Sequence, residues 1–235
     1  MLILRPAAAR GFADHGWLKA RHSFSFADYH DPEEMGWGAL RVINEDRIAP
    51  GRGFGMHGHR DMEILTWIVA GELQHRDSLG HGGTIRPGEY QRMSAGRGIL
   101  HSEFNPSAEH ETHLLQIWIA PARSGFPASY EQCVLPPAAL AGRLCLLASP
   151  DAAAGSARIQ QDACVYVARP QAGETLTLPL ANGRLAYLQL IHGQLRINEE
   201  IVMAAGDGLK VAAESELRIV VADAAEFLFF DLPPA

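Results

Sequence analysis

ILTWIVAGELQHRDS, residues 64–78, and AYLQLIHGQLRINEE, residues 186–200, decide how this chain is read. Each is an apolar run of strand length, a Gly, and a second strand-like run. Each is followed by a Gly-acid turn, in RPGEYQRM (86–93) and AAGDGLKV (204–211). Matching Gly71 with Gly193 and Gly88 with Gly206 predicts two β units of the same kind in tandem.

Outward from these segments, further runs rich in Ile, Leu, Val and aromatics recur at 39–43, 114–119, 217–221 and 227–230. Gly, Pro, Asp or Asn bound them, which is the pattern of short antiparallel strands joined by turns. Helix signals are sparse, and the stretch 136–142, with Pro near its start and Gly at its end, predicts one short helical turn. The expected fold is all-β: two antiparallel β-barrels in tandem with few short helices. The first unit is placed at 1–133 and the second at 144–235, with a Pro- and Ala-rich linker at about 134–143.

At 235 residues either unit can bury a core. The net charge of −7, with no run of Lys or Arg, argues against direct nucleic-acid binding, which requires clustered cations. The opening MLILRPAAARGF lacks the apolar stretch of a secretory leader, and no apolar run approaches a membrane span. A cytoplasmic protein, expected to be a monomer, follows. Cys133, Cys145 and Cys164 show no CxxC spacing and read as free thiols.

Among the 11 histidines one group stands out, in GFGMHGHRDME (53–63) and SAGRGILHSEFN (94–105). Residues two apart on a strand project to the same face. His57 and His59 therefore point together, as do His101 and Glu103. If both faces enter one barrel, three imidazoles and a carboxylate converge. Nitrogen and oxygen donors without thiolate suit Fe(II), Mn, Ni, Cu or Zn. Glu63 shares strand parity with His57 and His59, so parity alone leaves Glu63 and Glu103 tied as the carboxylate. Gln116, inside an apolar strand, is a candidate to hydrogen-bond near the site or to satisfy a buried backbone group. His75 and Asp77 are expected in a turn or behind the ligands. For Phe24, Phe26, Met35 and Trp37 ordinary core packing is favoured over lining a planar ligand's pocket.

The order Gly, His-x-His, Glu, then His101 to Asn105, resembles the two cupin motifs, with Glu63 where many cupins carry a ligand glutamate. Gly96 departs from the Pro customary there. Residues 22–80, from HSFSFADYHDPEEMGWGALRVINEDRIAPGRGFGMHGHRDME to AGELQHRDSLG, resemble the pirin family more specifically. MSAGRGILHSEFN (93–105), LQIWIAP (115–121) and, more loosely, FDLPP (230–234) extend the likeness. That resemblance implies a bicupin of double-stranded β-helix, or jelly-roll, barrels. It implies a mononuclear metal, Fe(II) foremost, held by His57, His59, His101 and Glu103, with Glu63 moved to a supporting or pocket position.

Pirin-like bacterial proteins are associated with quercetin 2,3-dioxygenase activity, in which O2 opens a flavonol ring with loss of carbon monoxide. The resemblance thus implies a flavonol, or another enol or phenol, as substrate, with Glu103 also the base that takes the hydroxyl proton. Family members in animals act as iron-dependent transcriptional cofactors, so a regulatory protein with a protein partner is the alternative. In the second unit the equivalent offsets from Gly193 and Gly206 fall on Pro179, Ala181, Ile219 and Val221. None is a ligand type, and a metal-free second barrel is expected.

Overall fold

A computed structural model describes residues 1–140 and 142–234 of the chain. The first unit contributes β1 (Leu2–Arg5), β2 (Gly11–Asp14), β3 (Leu18–His22), β4 (Leu40–Ile48), β5 (Gly53–His59) and β6 (Glu63–Ala70). It continues with β7 (Leu73–Asp77), β8 (Gly82–Ile85), β9 (Glu89–Ser94), β10 (Ile99–Phe104), β11 (Thr112–Ile119) and β12 (Ser129–Val134). The second unit holds β13 (Cys145–Ser149), β14 (Ala157–Arg158), β15 (Cys164–Ala168), β16 (Thr175–Pro179), β17 (Leu185–Ile197), β18 (Ile201–Ala204), β19 (Gly208–Ala212) and β20 (Glu216–Leu232).

Among the described residues helix is confined to single 3-10 turns. One of them, Pro137–Ala139, is the turn expected over 136–142. Ala141, inside that stretch and the expected linker, lies outside the described residues. No helix among the described residues is long and apolar enough to cross a membrane.

The expected closed barrels are replaced by open jelly-roll sheets. In the first unit a seven-stranded sheet, ordered β12-β9-β6-β11-β4-β3-β2, packs against a four-stranded sheet, β5-β10-β7-β8. Alternation along a strand reports which face is buried but not whether edge strands pair, and here they do not. In the second unit the long β17 and β20 bend through register shifts, at Leu190–His192 and again at His192–Gln194, within one nine-stranded sheet. That sheet also recruits β1, which pairs with β19 through Leu2↔Val211 and Arg5↔Gly208.

Period-two alternation decides what each face of the seven-stranded sheet touches. On its outer face Leu65, Trp67, Tyr90, Leu115 and Ile117 join Leu147, Val165 and Phe230 of the second unit in one cluster. Full burial of each such side chain is worth roughly 1.5–3 kcal/mol. Trp67 keeps its polar end satisfied there, donating Nε1–H to Glu226 Oε1 at 2.6 Å. Phe24, 1% exposed, and Trp37 also pack in or on this cluster, whereas Met35 is exposed. The core of the second unit includes Ile219 and Val221.

The inner face is layered. Gln91, Thr66, Gln116, Asn44 and His22 stand opposite one another on β9, β6, β11, β4 and β3. On one side of this polar row lie Met93, Ile64 and Trp118. On the other lie Ile68, Leu114 and Ala20, interrupted by Asp46. A polar stripe between apolar layers is where a site is to be sought.

The paired glycines behave alike. Gly71 has φ +76° and Gly193 φ +88°, and a Cβ would meet Glu111 O at 2.6 Å in one case and Ala224 O at 2.5 Å in the other. Each glycine therefore permits both a left-handed turn and a close strand approach. Gly71→Ala is expected to cost about 1–3 kcal/mol, read as a lower urea midpoint without change in slope.

The three cysteines are free and partly buried. Burial raises each thiol above its ordinary value, which disfavours the reactive thiolate.

Candidate metal centre

The His-x-His pair lies on β5 and the His-x-Glu pair on β10, adjacent antiparallel strands with His101 directly opposite His57. The ring of His101 is 4.4 Å from that of His57 and 4.9 Å from that of His59, centre to centre. One ring nitrogen from each of the three lies within 4.8 Å of the others. His57 Nδ1 is 2.8 Å from Gly55 O, so that nitrogen donates to the carbonyl and Nε2 is the ring atom left for a metal.

His101 is 1% exposed, yet neither of its ring nitrogens has a hydrogen-bond partner. An orphaned buried imidazole beside two others is the signature expected of residues that fit a metal ion. Burial, followed by repulsion from the neighbouring imidazoles, holds His101 down at about 3. The same causes, burial and then His57, hold His59 at about 4. Both rings are therefore neutral at physiological pH, with lone pairs available.

Glu103 is 1% exposed and belongs to a second, overlapping group with His75 and His101, again within 4.8 Å. Three side chains of the polar row hold it. Gln91 Nε2 donates to Oε1 at 2.6 Å, Gln116 Nε2 to Oε2 at 2.7 Å, and Thr66 Oγ1 to Oε1 at 3.5 Å. Burial pushes the carboxyl above its ordinary value, against the lowering effect of His57 and these donors. Gln116 thus serves Glu103 directly rather than a backbone group.

Glu63 lies elsewhere. A turn at Arg60–Met62, with Asp61 at φ +49°, separates β5 from β6 and resets the parity. Thr66 faces the site, so Glu63, three residues earlier on the same strand, faces away. Its Oε2 accepts from Ser94 Oγ at 2.6 Å. Neither supporting role nor pocket position holds for it.

His75, by contrast, is drawn into the site. It stands opposite Glu103 on the neighbouring β7, is wholly buried, and has Nδ1 without a partner. Tyr130 stacks on its ring at 4.3 Å. The alternation of His75 with Asp77 was visible in the sequence, but the pairing of β7 with β10 was not. Gln91 and Thr66 were missed, although polar residues inside buried strands were the available signal.

A cavity of about 520 Å³ opens beside this cluster and reaches Gln116. Phe26, Tyr29, Trp17 and Phe54 give it aromatic walls, while His22, Asn44 and Asp46 supply polar ones. Phe54 reaches His57, with ring centres 6.4 Å apart. Phe26 meets Trp118 edge-on, and Trp118 meets His59 in the same way. Of the four early residues, Phe26 alone takes the pocket position.

Asp46 is 3% exposed, with Oδ1 unpartnered. Burial, then the charges of Glu103 and Glu45, raise it to about 7. A folded value above the unfolded one favours the native state at low pH, and the benefit is lost as pH rises through about 7. Metal-free Asp46→Asn protein is therefore expected to exceed wild type in stability at pH 8, by more than ~1 kcal/mol. The gap should narrow as pH falls through about 7 and close only below 3.8, the ordinary carboxyl value (urea titrations at pH ~8 and pH ~3.5); a pH-independent gap would contradict the assignment.

Comparison with known proteins gives a consistent family. Residues 4–119 match the model of pirin, and residues 146–232 that of the quercetinase C-terminal cupin domain. The chain is 44% identical over 234 residues to the quercetin 2,3-dioxygenase of Escherichia coli K12, covering 100% of each. It is 41% identical over 232 residues to a pirin-like protein of Caulobacter vibrioides, covering 98% of this chain and 99% of that one. The crystal structure of the bacterial pirin YhhW of Escherichia coli in complex with nickel(II) superposes with a TM-score of 0.95 at 43% identity, covering 100% of both chains.

Proposed function

This chain belongs to the pirin family, and from that premise we propose that it is a metal-dependent dioxygenase of the quercetin 2,3-dioxygenase type. The observation that carries the reading is the group of three imidazoles beside buried Glu103, next to an aromatic-walled cavity that reaches Glu103's partner Gln116. His57, His59, His101 and Glu103 would hold the metal, iron(II) in our reading. The related YhhW structure contains nickel(II). Bound there, a divalent transition metal would supply Lewis acidity toward a substrate oxygen and the capacity to react with O2.

The remaining chemistry belongs to the chain itself. Phe26, Tyr29 and Phe54 offer flat apolar surface to a planar flavonol, and the cavity's size suits one small ligand. Gln91 and Gln116 fix Glu103 from both sides, so its carboxylate meets the ligand without reorganising. Glu103 takes the flavonol 3-hydroxyl proton onto one carboxylate oxygen. Held by Gln91 and Gln116, that carboxylate is already aimed, as a positioned base requires. The walls around His101 and Glu103 keep bulk water from competing. We assign residues 1–133 to this metal-binding unit and 144–235 to a unit without metal, with β1 lent by the first to the second.

Anaerobic mixing of the iron(II)-loaded protein with quercetin, followed by admission of air, is expected to give oxygen-dependent loss of the flavonol absorbance with matching oxygen uptake. Fully loaded wild-type protein that consumes no oxygen would overturn the reading. A partner captured by loaded but not metal-free protein would then favour a metal-sensing regulator.

A further inference from the structure

The alternation that aims Ala20, His22, Asn44 and Asp46 at the candidate centre sends their neighbours to the opposite face. Lys19, Arg21, Glu45 and Arg47 thus leave β3 and β4 on the outer side of the sheet. There they line a separate cavity of about 630 Å³ whose far wall, including Ile191 and Gly206, comes from the second unit.

Its charge is contrary to that of the chain. The protein carries −7 overall, but the cavity lining holds Arg10, Lys19, Arg21 and Arg47 against the single carboxylate of Glu45. That carboxylate is already engaged, by Arg10 Nη2 at 2.6 Å and His113 Nε2 at 2.9 Å. Arg47 pairs with Glu111 at 2.8 Å in an exposed bridge of little energetic weight. Lys19 and Arg21 have no carboxylate partner among the described residues, and Arg21 lies over the Phe12 ring at 4.3 Å.

Arg10 provides an independent sign of a missing partner. Its side chain is 3% exposed, and its Nε and Nη1 are buried without any acceptor. A buried guanidinium lacking acceptors on two nitrogens is costly unless something else supplies the oxygens. Low-dielectric walls and like charges in a concave site concentrate an anion.

We propose that this cleft binds a small organic anion, its carboxylate or phosphate group held by Arg10, Lys19 and Arg21 and its apolar body laid against Phe12 and Ile191. The site lies across the sheet from the candidate metal centre and stands whether or not that centre turns over a flavonol.

The test is isothermal titration of the full-length, metal-loaded protein at low ionic strength with phenyl phosphate, benzoate and the neutral benzamide. At least one anion is expected to bind with unit stoichiometry, weakening as salt is raised, while benzamide does not bind. The tighter of the two anions identifies the head group. Both Lys19 and Arg21 are exposed, so Lys19→Gln/Arg21→Gln should fold normally and bind at least ~10-fold more weakly. The charge-reversed Lys19→Glu/Arg21→Glu protein should not bind at all, whereas Glu103→Gln should bind as wild type. Absence of binding by both anions, equal binding of benzamide, or wild-type affinity in the folded double variants would overturn the proposal.

Discussion

A His101→Ala protein is expected to lose measurable iron(II) or nickel(II) binding, and with it oxygen uptake on quercetin. His101 sits between the other imidazoles, with ring centres 4.4 and 4.9 Å away, and is the buried member of the three. It is also the member shared with the Glu103–His75 group, so its removal breaks both sets at once. Losing a residue that merely orients a ligand costs ~10–100-fold in affinity or activity, and loss of a direct donor should exceed that. Metal at ~100 times its dissociation constant stabilises a folded protein by ~2.7 kcal/mol. Wild type should therefore show a metal-dependent rise in melting temperature that the variant lacks. Metal-free His101→Ala should fold, because the imidazole it removes has no hydrogen-bond partner to orphan. Calorimetric titration of both proteins decides the matter; wild-type affinity in the variant would remove His101 from the ligand set.

Glu103→Gln and Glu63→Gln are expected to part company. The first leaves shape almost unchanged but removes the charge and the base. The new amide cannot accept equally from Gln91 and Gln116, which now approach both oxygens. Oxygen-dependent turnover should fall by about 10²–10⁴, the usual contribution of a positioned base, and metal affinity should fall with it. Glu63→Gln should keep both affinity and turnover, because that carboxylate faces away from the imidazoles and bonds Ser94. Its stability should change little, because the introduced amide oxygen can still accept from Ser94 Oγ while burial already disfavours the charge at Glu63. Turnover and urea midpoints measured on both variants separate the two roles, and a Glu103→Gln protein with full activity would return Glu63 to consideration.

What could be read from sequence was what a single strand carries. His57 with His59, and His101 with Glu103, each lie within one strand, so period two brought each pair to one face, even though the pairing of β10 with β5 slips between His101 and Glu103. The tandem repeat was legible because Gly71 and Gly193 answer the same steric demand. Glu63 was misplaced because parity was carried across the Arg60–Met62 turn, and a residue with positive φ breaks the count. His75, Gln91 and Thr66 reach Glu103 only through the pairing of distant strands, which local alternation does not encode. The same holds for the cavity wall drawn from residues 12–29.

The long return of β1 to the second sheet has a consequence for how the molecule is made. Met1 N and Ala212 O meet across 211 residues of chain, so this edge cannot close until the chain as far as Ala212 is available. Contacts of such separation slow folding. Until then the outer edge of β19 presents unpaired backbone groups, a template on which a neighbouring nascent chain can add its own strand. The opening residues thus act as a built-in guard against edge-to-edge association, and trimming or tagging them puts soluble yield at risk before it touches the distant histidines.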